Sequence, residues 1–509
     1  MLTFIDRFLN GITMYRVVLY YVVALILAAM VLGYFGFIPY SPLMILYATV
    51  VITVVSMVSN WMFAKAFRAQ TNVESLYITA LILVLIITPP KSWFDMQFLE
   101  IGFWASVWAM ASKYILAIKR KHIFNPVAFG VALTSFTLGA SASWWVATMP
   151  MVPFVLIGGL LLTRKILRFD LVLSFLIVAL ISIGGAHLSS LGIFSSTIWR
   201  AIIDTPLFFF AFVMLTEPLT TPPTRILRIL YGALTGLFFA PWFHIGSMYF
   251  APEMALLGGN LFSYLVSPKA KLFLTLTEKI QVATDVYDFR FRSDRPMKFR
   301  PGQYLEWTLG HDHPDSRGNR RYLTIATSPT EQEIGIGVKF YDKSSTFKKK
   351  LLAMEPGDAI IASQLAGDFV LPNDAKKKLV FVAGGIGITP FRSMIKYLID
   401  KNESRSIVVL YANKKPGDIA YKEVFDEAEQ KLGIKTFYAL SDVASVPANW
   451  DGYTGYITEE MILRDVPDYA DRIFYVSGPH SMILAFEETL RRMGIPKSQI
   501  ITDFFPGFA

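Results

Sequence analysis

The chain has 509 residues, a formal net charge of +9, a 54% hydrophobic composition and a mean hydropathy of +0.46. It contains no cysteine, which excludes disulfides, thiolate-held iron–sulfur clusters and thiol catalysis from this chain. The basic excess marks no nucleic-acid module, because many basic residues lie between hydrophobic stretches, where membrane topology accounts for them.

In the first sixteen residues, Phe4, Ile5, Phe8, Leu9 and Ile12 alternate with Asp6, Arg7 and Asn10. This pattern predicts an interfacial helix rather than a signal peptide, since the apolar run after Arg16 is too long for a signal core. Residues 17–64 and 125–163 contain no Asp, Glu, Lys or Arg. Each run is long enough to cross a bilayer about twice, at roughly 20 residues per crossing. The hydropathy pattern predicts an N-terminal polytopic α-helical membrane domain of about ten spans. They fall near 17–37, 42–62, 75–89, 97–117, 126–143, 151–163, 169–186, 202–216, 226–240 and 247–266.

The basic residues alternate between the two sides of these spans. Arg7, Arg16, Lys65, Arg68, Lys119, Arg120, Lys121, Arg164, Lys165, Arg168, Arg225, Arg228, Lys269 and Lys271 fall on one side, leaving mainly Lys91 and Arg200 on the other. The positive-inside rule then places both termini in the cytoplasm. Trp93, Trp144, Trp145, Trp199 and Trp242 fall at the outer interface, as an aromatic belt does. Intramembrane haem needs facing histidine pairs, and of the six histidines only His122, His187 and His244 lie near the membrane, with no span carrying two. A non-metal carrier, flavin or quinone, is left. Asp204 and Glu253 are the ionisable candidates toward the outer side, and Glu253 directly follows Pro252, as a first-turn acid at a helix start does.

Three segments of this half resemble a known family. They are His122-Ile123-Phe124-Asn125-Pro126, Ile157-Gly158-Gly159-Leu160 through Lys165, and Thr216-Glu217-Pro218-Leu219-Thr220-Thr221-Pro222 ahead of Tyr231-Gly232-Ala233-Leu234-Thr235-Gly236. Together they are similar to the RnfD protein of the Rnf complex and the NqrB protein of the sodium-pumping NADH:quinone oxidoreductase. The likeness covers residues 1–267 and implies an electron-conducting membrane domain, with Asn125 and Thr220 as flavin contacts. Asn-Pro and Glu-Pro also read as helix-end punctuation. The relatives attach FMN to a Thr of a Ser-Gly-Ala-Thr motif; here the corresponding loop reads Leu138-Gly139-Ala140-Ser141, which leaves Ser141 alone as a candidate. The implied membrane cofactor is therefore non-covalent FMN or riboflavin.

Most charge lies from Lys269 onward, where a soluble half begins. Strands alternating with polar turns to about Pro372 predict a small antiparallel barrel over 268–373. Arg320-Arg321-Tyr322-Leu323-Thr324 resembles the Arg-x-Tyr-Ser/Thr motif of the ferredoxin–NADP reductase superfamily, which binds FAD. An arginine there pairs with flavin phosphate, and a hydroxyl nearby approaches the ring edge. Leu323 stands where the motif has Tyr, with Tyr322 one place early. Lys343-Ser344-Ser345-Thr346-Phe347-Lys348 is similar to the superfamily's second phosphate segment, and Leu365-Ala366-Gly367-Asp368-Phe369 to its barrel-closing turn.

Residues 374–509 predict an α/β nucleotide-binding domain. Leu379 through Ala383 form an apolar run into Gly384-Gly385-Ile386-Gly387-Ile388-Thr389-Pro390, followed by a helical pattern. Such a strand, glycine loop and helix start suits a dinucleotide pyrophosphate. By the same resemblance Ser477-Gly478-Pro479 and Asp503-Phe504-Phe505 flank the nicotinamide, with Ser477 where Cys is usual. Hydride transfer to flavin needs stacking rather than a general acid, so Thr324, Thr389 and Ser477 are positioning residues at the reacting rings. Tyr411-Ala412-Asn413-Lys414-Lys415 through Ile419 resembles NADH-using cytochrome b5 reductases, so Asn413 joins the cofactor contacts; Lys414 and Lys415 suit a 2′-phosphate or a solvated turn, so NADPH stays open beside NADH.

These features read as a fused electron conduit, in which NAD(P)H reduces FAD and electrons pass to a membrane flavin and on to an extracytoplasmic flavoprotein. An NADH:quinone reductase without transmembrane transfer is the first alternative, and a transporter with a regulatory flavin domain the second. The expected location is a bacterial-type inner membrane, in contact with lipid.

Overall fold

The computed structural model describes residues 5, 8–9, 12–67, 73–118, 121–185, 191–246, 248–267, 271–315 and 318–503. The chain divides into two compact units that change over between Ala270 and Lys271. The interfacial helix expected at the start and His187 lie largely outside the described residues.

The first unit is helical: α1 Met14–Tyr34, α2 Pro42–Ala66, α3 Val73–Ile86, α4 Met96–Ile115, α5 Pro126–Leu138, α6 Val152–Ile166, α7 Phe169–Gly185, α8 Leu191–Asp204, α9 Arg225–Phe238 and α10 Pro252–Val266. Side chains cap several N-termini, with Thr13, Ser41, Asp95 and Asn125 each accepting a backbone N–H of the first turn. Helix α9 packs on α7 through Gly232 and Gly236. A Cβ at Gly232 would lie 2.6 Å from the Leu171 carbonyl oxygen, and one at Gly236 2.7 Å from that of Phe175. Small residues four apart let the two backbones approach.

A helix lies at each predicted span, but many are short. Among the described residues, three are long and apolar enough to cross a membrane, Met14–Tyr34, Pro42–Ala66 and Met149–Ile166. A fourth arises if Ser196–Asp204 and Leu207–Met214, which meet at 64°, count as one. Several of the others are cut by local chemistry. Helix α5 ends at Gly139, in the left-handed conformation, instead of running to residue 143. The stretch expected to span 202–216 breaks beside Pro206 and continues as a π-turn over Phe210–Met214. At 247–266 a tight antiparallel pairing of His244–Ile245 with Met248–Tyr249 precedes the helix, which starts at Pro252. Trp144 and Trp145 do not form a belt: both are buried, their Nε1 atoms donating to Glu253 and to the Val84 carbonyl. Trp93, Trp199 and Trp242 are exposed.

The second unit holds two sheets. Strands β1 Leu272–Ala283, β2 Val286–Ser293, β3 Tyr304–Thr308, β4 Arg320–Thr324, β5 Ile334–Lys339 and β6 Ala359–Ala366 form an antiparallel sheet in the order β4-β3-β6-β1-β2-β5, with helix α11 Thr346–Leu352 before β6. The Ala326 N–H donates to the Gly335 carbonyl and bridges the two edges. Leu274, Phe289, Phe291, Trp307, Ile336 and Phe347 fill its core.

Strands β7 Leu379–Gly384, β8 Ile407–Asn413, β9 Lys435–Leu440, β10 Tyr453–Thr454, β11 Ile473–Ser477 and β12 Ile500–Thr502 form a wholly parallel sheet in the order β10-β9-β8-β7-β11-β12. Helices α12 Thr389–Lys401 and α13 Lys422–Leu432 cover one face, α14 Glu459–Asp465 and α15 His480–Arg492 the other. Strand β7 is buried throughout, as a central parallel strand requires. The strand order reverses between β7 and β11, and the carboxyl ends there are where ligands of such sheets sit.

Candidate functional site

At that reversal the glycine loop joins the end of β7 to the start of α12. Gly385 has φ +51 and open space where a Cβ would stand, so a ligand can approach its backbone. Gly387 is pressed against the end of β11: a Cβ would lie 2.5 Å from the Ser477 carbonyl oxygen and 2.6 Å from the Gly478 nitrogen. A Cβ at Gly384 would meet Met482 and Pro479. Thr389 starts α12 with Pro390 behind it, and its hydroxyl donates to the Ile386 carbonyl. Asn413 ends β8, is buried, and neither of its amide atoms makes a hydrogen bond of good geometry. The Tyr411 hydroxyl is its polar neighbour, which leaves the amide spare hydrogen-bonding capacity, so an amide and an open backbone turn beside one another suit a bound nucleotide. Ser477 donates from Oγ to Asp503 at 3.1 Å, which brings those two expected contacts together; Phe505 lies outside the described residues. Exposed Lys415 stands 3.8 Å from Asp442, so that lysine already has a carboxylate nearby.

On the barrel, strand alternation separates the expected flavin residues. Pairing with β3 puts Arg321 and Leu323 opposite Trp307 and Leu305, on the core face. Tyr322 and Thr324 stand opposite Glu306 and Tyr304, on the other face. Tyr322 meets Tyr304 edge-on at 5.7 Å and donates to Glu306 at 2.9 Å. Leu323, in the motif's aromatic place, packs into the barrel, and the aromatic on the outward face is Tyr322. The Arg321 guanidinium lies 5.1 Å over the Phe347 ring, which ties the motif to the second phosphate segment. In that segment Ser345 caps α11, Ser344 bonds within the turn at Tyr341, and Thr346 exchanges hydrogen bonds with Asp315. The arginine, the hydroxyls and the capped turn fit an FAD diphosphate and ring edge.

Charges that sequence reading missed join the two sheets. Arg392 of α12 forks onto Glu331, and Arg290 of β2 reaches the same carboxylate at 3.0 Å and Asp288 at 2.6 Å. Burial lifts Asp288 above the usual carboxylate range against the pull of Arg290 and Arg392. At Glu331 burial acts upward too, but the Arg392 guanidinium prevails and holds the carboxyl below its ordinary value. Asp288 and Arg290 share β2, Glu331 lies in the turn before β5 and Arg392 on α12, so only the fold assembles them.

In the helical unit, the two expected flavin contacts meet at one carboxylate. Asn125 donates from Nδ2 to Glu217 at 2.9 Å and Thr220 donates to the same oxygen at 3.1 Å, while His122 stands 3.6 Å away. The Asn125 N–H donates to Asn260, whose amide donates to Tyr231. Tyr231 was visible within a quoted motif; Asn260 carried no signal. A cavity of about 70 Å³ adjoins this cluster, lined among others by Ser75, Thr79, Asn125, Thr216 and Glu217. That is less than half of the roughly 150 Å³ that admits benzene, so it takes water as it stands and must widen to take a flavin ring. Asn125 also caps α5, so its punctuation role and its polar contact coexist. Ser141 lies exposed, 3.3 Å from the Ser135 hydroxyl.

Residues 381–488 match the family model described as an oxidoreductase NAD-binding domain. The chain is therefore an NAD(P)H oxidoreductase, with a reductase half of the flavin-dependent kind. It is 26% identical over 260 residues to NADH-cytochrome b5 reductase 1 of Ajellomyces capsulatus, covering 48% of this chain and 83% of that protein. It is 30% identical over 202 residues to the F component of the Na(+)-translocating NADH-quinone reductase of Psychrobacter cryohalolentis, covering 38% of this chain and 47% of that one. Among solved structures, the cytochrome b5 reductase domain of Ulva prolifera nitrate reductase aligns with 47% of this chain and 98% of its own, at 23% identity and a TM-score of 0.42.

Proposed function

We propose that the chain carries electrons from cytoplasmic NAD(P)H through FAD on the barrel into its helical half, and from there to an acceptor at or across the membrane. The observation that carries the reading is the pairing of an open glycine turn and a buried Asn413 amide with an outward barrel face bearing Tyr322 and Thr324, on one chain with an apolar helical unit. Bound FAD supplies the conversion of a two-electron donor into single electrons. The protein's residues supply placement. Gly385 and the start of α12 receive the nucleotide diphosphate, Thr389 and Ser477 border the nicotinamide, and Arg321 with Ser344, Ser345 and Thr346 receives the flavin diphosphate. Neither Thr324 nor Thr389 needs to move a proton for hydride transfer; each fixes a ring edge.

In the helical half, Asn125, Thr220 and Glu217 offer an amide, a hydroxyl and a carboxylate at one place inside an apolar bundle. This donor and acceptor set suits the uracil edge of non-covalent FMN or riboflavin, once the cavity widens. A hydrocarbon core of about 30 Å is too thick for one carrier at the cytoplasmic face, so passage to an extracytoplasmic flavoprotein requires such a carrier, whereas delivery to a quinone does not. An even number of crossings with the basic residues inside places both termini in the cytoplasm.

Acid release and mass analysis of flavins from the detergent-purified full chain tests this reading. More than one flavin per chain, together with reduction of a membrane-impermeant acceptor on the far side of sealed vesicles, is expected. A single FAD with electrons appearing only in quinone would replace the transmembrane reading by a quinone reductase.

A further inference from the structure

Hydride transfer depends on the separation of two rings held by two different sheets, and reacting atoms have to come within about 3–3.5 Å. An apolar seam between the sheets is non-directional and allows sliding. In this protein the seam carries a buried charge cluster directly behind both reacting edges. Arg392 lies one helical turn after Thr389, and its Nη1 donates to the Ala326 carbonyl at 3.2 Å, two residues beyond Thr324. Its fork grips Glu331, which Arg290 grips from the barrel side, and Arg290 is in turn held by Asp288. Ser393 adds a hydrogen bond of 2.6 Å from Oγ to the Thr327 carbonyl. Two arginines face two carboxylates, so the cluster is balanced, and bidentate guanidinium–carboxylate pairs fix angle as well as distance.

A second observation at the same seam is steric and independent of charge. Strand β5 presents glycine at 337, where a Cβ would lie 2.4 Å from the Tyr421 hydroxyl and 2.8 Å from Thr389 Cγ2. The barrel backbone is thus pressed against the residue that starts α12. Tyr421, buried and with the Arg392 guanidinium 5.7 Å over its ring, is held at φ +59, a left-handed conformation that a non-glycine residue adopts only where its surroundings impose it.

We propose that Arg392, Glu331, Arg290 and Asp288 are positioning residues that set the ring separation for hydride transfer, with the Gly337 contact as their steric stop. The inference rests on the reading of NAD(P)H-to-FAD transfer given above.

The test is rapid-mixing of NADH with the FAD-loaded, detergent-purified full chain, following flavin bleaching at saturating NADH, the apparent NADH Kd and bound FAD per chain. Misplacement of about 1 Å costs up to roughly a hundredfold in such steps. Arg392→Met is expected to slow bleaching by tenfold to a hundredfold, with Kd within about twofold and FAD content retained; Arg392→Lys, which keeps the charge without the fork, is expected to recover part of the rate. Gly337→Ala, which leaves every charge in place, is expected to slow bleaching about tenfold through sterics alone. If Arg392→Met fails to fold or loses FAD, Gly337→Ala decides. FAD-loaded variants that bleach within twofold of wild type, or that lose only NADH affinity, overturn the inference while leaving the reading intact. A wild-type chain that bleaches with neither NADH nor NADPH overturns the reading itself, and this inference with it.

Discussion

At position 387 one methyl group is enough to obstruct the nucleotide site. The space it would take is bounded by the Ser477 carbonyl and the Gly478 nitrogen, both backbone atoms with little room to retreat. Gly387→Ala is expected to destabilise the second unit by about 1–3 kcal/mol through overpacking and to raise the NADH Kd. A lowered thermal midpoint and a shifted titration of flavin bleaching with NADH check this. The same scale explains why Leu323 and Tyr322 exchange the parts the motif suggests. Side chains alternate along a strand, and the pairing of Tyr322 with Glu306 turns the tyrosine outward.

Among the elements, the parallel sheet shows how loop charges hold strands together. Arg472, just before β11, donates to the Leu379 carbonyl on β7 and pairs with Asp468; Lys378, just before β7, pairs with the same carboxylate at 2.8 Å. The Arg472 hydrogen bond, followed by Lys378, lowers the Asp468 pKa to about 2. Its folded value lies below the unfolded one of about 4, so the stabilisation is complete above pH 4 and is lost as pH falls toward 2. Asp468→Asn is therefore expected to lower the urea midpoint of the full chain at neutral pH, with the gap to wild type closing between about pH 4 and 2. Release of flavin fluorescence reports that midpoint. Partial exposure of the carboxylate keeps the effect modest.

For the whole molecule, the decisive matter is whether the helical unit carries a redox group of its own. Asn125 and Thr220 converge on Glu217 although they lie 95 residues apart in sequence, and no local pattern requires that. Asn125→Ala is expected to remove the membrane flavin and leave one FAD per chain, seen by flavin release from the purified protein. Loss of the α5 cap costs about 1 kcal/mol at the same position, so a thermal midpoint measured alongside separates a lost ligand from a lost helix start. A flavin count unaltered by the variant would remove Asn125 from the carrier site.

The order of the parts was legible in the residues: a charge-poor half before a charged one, an alternating barrel, then an apolar strand running into glycines and a Thr-Pro helix start. Each of these is a short-range pattern, and short-range sterics and hydrogen bonding act on it directly, whereas the parallel pairing of β7 with β8 and β11 is what brings Asn413 and Ser477 beside the glycine loop. Tertiary structure decided what depends on distant partners. It buried Trp144 and Trp145 against Glu253 and Val84 and selected the outward face of β4. It also gathered Asp288, Arg290, Glu331 and Arg392 into one charge cluster between the two sheets. Such arrangements are set by which surfaces pack together, and a linear pattern of side chains specifies that only once the whole chain has folded.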